Sequence, residues 1–154
     1  MSRTVLVTGG AGGIGQAVVS AFHALGDHVV VADLEPGGIS LDITDEAAIS
    51  RALDDVGPVD VLVNNAGLLS VHGRLLDLPA VDMLRILRTN VYGTFLMTQH
   101  VARRMVAHGR PGVIVNMSSI GARQPTPGMG GYESSKAAVD ALTRWAAIEL
   151  AEHG

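Results

Sequence analysis

Short apolar runs alternate along the chain with longer stretches in which apolar residues recur every three or four positions. Thr4-Val5-Leu6-Val7 is continuous and β-branched, as in a strand buried on both faces. From Ile14 to Leu25 the pattern turns helical, with Val18, Val19, Phe22 and Leu25 on one side. Val29-Val30-Val31-Ala32 predicts a second strand ending in Asp33. Asp45 can cap a helix running to about Asp54, and Val59-Asp60-Val61-Leu62-Val63 predicts a further strand. A long helical stretch begins at Pro79 and runs through Met105, ended by Gly109 and Pro111. Val113-Ile114-Val115 is the last strand, and Gly131 to His153 the last helix. Apolar strands separated by helical patterns predict an α/β fold: a doubly wound parallel sheet of about five strands, covered on both faces, within one domain spanning residues 1–154.

One connection departs from that scheme. Leu34 to Gly38 is too short for a helical crossover, which takes a dozen or more residues. Ile39-Ser40-Leu41 is therefore expected as a short strand reached by a bare loop. Composition narrows the partners. Apolar residues make up 47% and charged residues 17%, which argues against disorder. A net charge of -4 gives no reason to expect nucleic acid or an anionic membrane. There is no cysteine, and the six histidines show no ligand spacing with acidic residues, so no metal site is expected. The N-terminus lacks a signal-peptide pattern and no apolar stretch reaches the ~18 residues of a membrane span, so a cytoplasmic location is expected. Trp145, Met105 and the Leu84/Leu87 stripe read as packing.

Chemistry enters between the first strand and the first helix. In Thr8-Gly9-Gly10-Ala11-Gly12-Gly13-Ile14-Gly15 two glycine patterns overlap: Gly-x-Gly-x-x-Gly at Gly10, Gly12 and Gly15, and Thr-Gly-x-x-x-Gly-x-Gly at Gly9, Gly13 and Gly15. Such a turn lets a pyrophosphate approach backbone N–H groups at a helix's positive end. Asp33 ends the next strand about 20 residues on, where a carboxylate can accept both adenosine ribose hydroxyls and repel a 2′-phosphate. No Arg or Lys occurs between Thr8 and Gly15 or directly after Asp33, which points to NAD rather than NADP. A purely structural glycine turn, with Asp33 merely solvated, is the alternative.

Near the other end, Tyr132-Glu133-Ser134-Ser135-Lys136 places a phenol and an ammonium on one helical face, about 5–6 Å apart at Cβ. A fixed cation stabilises a phenolate, and Ser119, thirteen residues before Tyr132, can bring a hydroxyl from a separate segment. That arrangement suits proton transfer to or from an alcohol or carbonyl.

Together with Asn64-Asn65-Ala66-Gly67 and Asn90, these motifs resemble, in order and spacing, the short-chain dehydrogenase/reductase family. The resemblance implies a Rossmann-like fold and an NAD(H)-dependent interconversion of a secondary alcohol and a ketone. It makes Tyr132 the general acid–base, Ser119 the residue that orients the substrate oxygen (Ser118 being the neighbouring candidate), and Lys136 the residue that binds the nicotinamide ribose and lowers the tyrosine pKa. Asn90 would support a water in the proton relay. Gly9, Gly13, Ile14 and Gly15 would cradle the cofactor, Asp42 and Ile43 would flank its adenine, and Asn65, Ala66 and Gly67 would line it near the ribose. Asn64 looks more like a sheet brace. Simpler roles compete: Asn90 bonding within its own helix, Ser119 capping a turn, Tyr132 and Lys136 an exposed pair. Pro125, Pro127, Gly128 and Met129 precede Tyr132 and suggest a compact, mostly apolar substrate wall suited to cyclic or aromatic alcohols.

The resemblance also implies further strands after Gly154, eighteen residues beyond Lys136. On that basis the chain is expected to be C-terminally truncated, with Val113–Val115 as an open sheet edge, and to be marginally stable or to self-associate. A homodimer or homotetramer through the helices of Asn90 and Tyr132 is the family expectation. The competing function is a non-catalytic dinucleotide-binding module or fragment.

Overall fold

The computed structural model describes residues 2–154. Five strands form one parallel sheet in the order β3-β2-β1-β4-β5, a Rossmann-like arrangement. They are β1 (Thr4–Thr8), β2 (His28–Asp33), β3 (Ile39–Ser40), β4 (Val61–Asn64) and β5 (Val113–Asn116). The helices are α1 (Gly13–Ala24), α2 (Glu46–Val56), α3 (Ala80–Leu87), α4 (Thr94–Ala107) and α5 (Gly130–Leu150).

Alternation within the strands decides the two layers. Val5 and Val7 of β1 and Val61 and Val63 of β4 meet Val18, Val19 and Phe22 of α1 on one face. Leu6 and Leu62 point the other way, into a larger core with Ile49 and Leu53 of α2 and Leu96, Met97 and Val101 of α4. Both faces of the central strands are thereby dry, which is why their sequences are apolar throughout. Asp45 caps α2 by accepting the Ala48 N–H at 2.9 Å.

The bare loop is present: β3 is two residues long and follows β2 with no helix between them. Several boundaries differ from the periodic reading. Leu25 was expected on the buried side of α1 but caps its end and is 71% exposed, because Gly26 (φ 81°) turns the chain there. Val59 is buried but precedes β4. The Pro79–Met105 stretch is interrupted by a π turn over Arg88–Gly93, so α3 and α4 are joined by one wide turn. The last helix ends at Leu150 and tightens into a 3₁₀ turn. Trp145 is 49% exposed and packs by stacking on Phe95 at 6.3 Å, while Leu84 is 66% exposed and lies mostly bare.

Asn64 braces the sheet. Its amide donates to Thr98 Oγ1 at 3.1 Å and to Asn116 Oδ1 on β5 at 2.8 Å. Beyond that contact β5 has no further strand among the described residues, and its Val113 and Val115 are 55% and 41% exposed. Among the described residues no helix is long and apolar enough to cross a membrane, and no three His, Asp or Glu side chains gather as metal ligands.

Candidate active site

The carboxyl ends of the parallel strands converge on one cleft of about 1030 Å³. Gly9, Gly13, Ile14, Gly15, Asp33, Asp42, Ile43, Asn65, Ala66 and Gly67 all line it. The glycine turn needs its missing side chains. Gly9 adopts φ 66°, and a Cβ on Gly15 would stand 2.1 Å from the Gly9 carbonyl oxygen. Gly13 differs, because a Cβ there would meet nothing within 4 Å. Gly12 caps α1 without a side-chain bond, and no acidic residue lies in the first turn. The positive end of α1 is therefore open to an anion.

Asp33 is tied to that turn. Its Oδ2 accepts the Ala11 N–H at 2.9 Å and its Oδ1 the Glu35 N–H at 3.1 Å. A carboxylate offers about four acceptor positions, so capacity remains for ribose hydroxyls. Thr8 Oγ1 accepts the N–H groups of Asn65 and Ala66, and the Asn65 amide donates to the Gly9 carbonyl at 2.8 Å. The glycine turn and the Asn65–Gly67 segment are thus pinned to each other across β1 and β4.

The second cluster lies at the start of α5. Lys136 is buried, donates to the Met117 carbonyl at 2.6 Å, and stands 5.7 Å from the centre of the Tyr132 ring. Burial pushes its ammonium below the ordinary lysine value. An ordinary exposed pair is not what the chain builds. Ser119 does cap a 3₁₀ turn, its Oγ accepting the Gly121 N–H at 3.1 Å. That bond occupies an acceptor site and leaves the hydroxyl proton free to donate. Ser118 is exposed, and its hydroxyl leans on the Lys136 carbonyl at 3.4 Å.

Asn90 is fully buried in the π turn and reaches outside its helix. Its Oδ1 accepts the Leu68 N–H at 2.6 Å, while its amide donates to the Leu68 carbonyl and to Ser135 Oγ. Both amide protons and one acceptor site of its oxygen join the β4 loop to α5, and the second acceptor site of Oδ1 is left over. Pro125 and Pro127 are exposed, while Gly128 and Met129 are half-buried, the Gly128 carbonyl accepting the Gly73 N–H at 3.0 Å. Sequence reasoning missed Arg85 and Arg88, which also line the cleft. Their i, i+3 spacing just ahead of Asn90 was the available signal.

Residues 3–154 match the family model described as short chain dehydrogenase. The chain is 39% identical to a sorbitol dehydrogenase of Cereibacter sphaeroides, with 99% of this chain and 66% of that protein aligned. It is also 39% identical to the L-xylulose reductase of Homo sapiens, over 98% of this chain and 67% of that protein. The chain therefore spans about two thirds of the length of these relatives. Among solved structures it superposes on NAD+-bound xylitol dehydrogenase with a TM-score of 0.92 at 30% identity, covering 99% of this chain and 66% of that one. It superposes equally, at TM-score 0.92 and 31% identity, on ElxO with NADP bound, covering 100% of this chain and 70% of that one.

Proposed function

The chain belongs to the short chain dehydrogenase family, and from that premise we propose that it carries the cofactor and proton-transfer machinery of an NAD(H)-dependent oxidoreductase acting on a secondary alcohol or ketone. The observation that carries this reading is the buried Lys136 beside the Tyr132 ring, held by a carbonyl and by no carboxylate among the described residues. A structural lysine seeks a counter-ion. One left without it keeps a positive charge beside a group that exchanges a proton.

The cleft suits a nicotinamide dinucleotide on its own chemistry. Gly13 and Ile14 offer uncapped N–H groups to a pyrophosphate, Gly13 leaves room for its approach, and Asp33 retains acceptor capacity for ribose hydroxyls. The Asp33 charge opposes a 2′-phosphate, which supports NAD over NADP. When bound, the dinucleotide supplies the hydride acceptor or donor. In the oxidative direction Ser119 donates a hydrogen bond to the substrate oxygen and orients it. Tyr132 in its phenolate form takes the proton that leaves the alcohol, and as the phenol returns it to a ketone in reverse. Lys136 places its charge beside that transfer, and Asn90 holds Leu68 and α5 in register. Relatives named for polyols and sugars favour a small hydroxylated substrate over the cyclic or aromatic alcohols that the loop composition suggests. Exposed Leu84, Tyr92 and Trp145 on the α3–α4 segment and α5 support association of copies through these helices.

The test is turnover of NAD with a panel of polyols and secondary alcohols, for the chain and for Tyr132→Phe. Activity lost in the variant while NAD binding persists is the expected result. NAD binding with no turnover of any panel member would favour a dinucleotide-binding module instead.

A further inference from the structure

Glu133 directly follows Tyr132, and the dehydrogenase reading gives it no task. It is only 5% exposed, a rare place for a carboxylate unless it is paired. Among the described residues no cation lies within ion-pair distance of it. Both of its oxygens instead accept a single backbone N–H, that of Thr126, each at 2.9 Å. Thr126 sits between Pro125 and Pro127 in the loop before α5. An earlier residue of the same segment also meets this side chain. A Cβ on Gly121 would stand 2.7 Å from Glu133 Cγ and 3.0 Å from its Oε1, so the glycine backbone lies flat against it. The Gly121 N–H is the one that binds Ser119 Oγ. One side chain therefore meets the segment at two points, two residues after Ser119 and within the loop wall. Its own position, in the first turn of α5, lets the helix's positive end stabilise the carboxylate.

We propose that Glu133 is a positioning residue, whose carboxylate clamps residues 119–129 onto the start of α5 and so fixes where Ser119 and the loop wall stand relative to Tyr132. With a short neutral side chain, the Thr126 N–H loses its only acceptor and Gly121 loses the surface it rests on. The segment then moves as a flap. Glu133 does not line the dinucleotide cleft, so the clamp and cofactor binding are separable. Only the kinetic consequence of the clamp rests on the dehydrogenase reading.

The experiment is hydrogen exchange across residues 119–129 of the full chain in wild type, Glu133→Ala and Glu133→Gln, with NAD binding titrated alongside. Loss of a hydrogen bond to a charged acceptor should speed exchange at Thr126 by roughly 10–100-fold in Glu133→Ala. NAD affinity should stay within about two-fold, and Gln, which keeps one acceptor oxygen, should fall between. In turnover, Glu133→Ala should lower kcat/KM for the alcohol by roughly 10–100-fold, with the KM for NAD unchanged and partial rescue by Gln. Unchanged exchange at Thr126 overturns the clamp. So does a parallel loss of NAD affinity, which would mark collapse of the whole helix start. Should Glu133→Ala not fold, Glu133→Gln decides alone: exchange at Thr126 must then rise above wild type or the clamp is refuted. A wild type without turnover sinks the dehydrogenase reading, and the exchange comparison still decides the clamp.

Discussion

Gly13 and Gly15 lie two residues apart in the first turn of α1, yet alanine should fail differently at each. At Gly15 the new methyl would stand 2.1 Å from the Gly9 carbonyl oxygen and 2.8 Å from Gly10 Cα, both backbone atoms. Favourable non-bonded contact needs about 3.5 Å, so the turn must open by more than an ångström. Overpacking of that kind costs ~1–3 kcal/mol, which in a chain of this size lowers Tm by about 2–12 °C. At Gly13 a Cβ meets nothing within 4 Å, and φ is not positive. Alanine there restrains the unfolded chain and adds ~0.4–1 kcal/mol, raising Tm by about 1–4 °C. The same methyl projects into the cleft and holds an incoming pyrophosphate away from the helix N–H groups. Scanning calorimetry with and without NAD separates the two effects. At a ligand concentration near 100 Kd the wild type should gain ~2.7 kcal/mol, and a variant binding tenfold more weakly only ~1.4 kcal/mol. Gly13→Ala should thus melt slightly later than wild type alone and respond less to NAD. If it melts earlier without NAD, or keeps the full NAD response, the assignment of the turn is wrong.

Three further outcomes are expected. Burial holds the Lys136 ammonium below its ordinary 10.5, so between that lowered value and 10.5 unfolding takes up a proton and the stability owed to this group rises with pH. The burial cost is fully present below that window, and Lys136→Met should abolish the rise; a wild-type-minus-variant difference in urea midpoint that stays flat up to pH 10.5 would refute it. Asn90→Ala strands the Leu68 N–H and carbonyl, and at ~1–3 kcal/mol for an unmet buried group should lower Tm by about 2–12 °C; a smaller drop would show that solvent replaces the brace. Trp145→Glu, on the exposed apolar face of α5, should shift sedimentation towards monomer, and an unchanged profile would remove this face as an interface.

The sheet was legible because Val5–Val7 and Val61–Val63 are buried on both faces, which leaves no polar position to blur the run. The glycine turn and Asp33 were legible because that chemistry is written in consecutive residues. Periodicity stopped short where another part of the chain decides. It does not register that Gly26 ends α1 before Leu25, nor that one residue is added in the turn holding Asn90. An apolar stripe looks the same whether its own chain covers it or leaves it bare, so Leu84 reads as packing and is exposed. Glu133 carried no local signal, because its partner Thr126 reaches it only after the Pro125–Pro127 loop folds back.

The strand order has a metric consequence. Asp33 ends β2 and Ser119 follows the end of β5, with β1 and β4 lying between them. Neighbouring strands are ~4.8 Å apart, so three spacings set the ends of β2 and β5 about 14 Å apart across the sheet. That length is a property of backbone hydrogen bonding, and no side-chain exchange at either end can change it. The sheet is in effect a ruler. Anything that bridges the two strand ends must match that width.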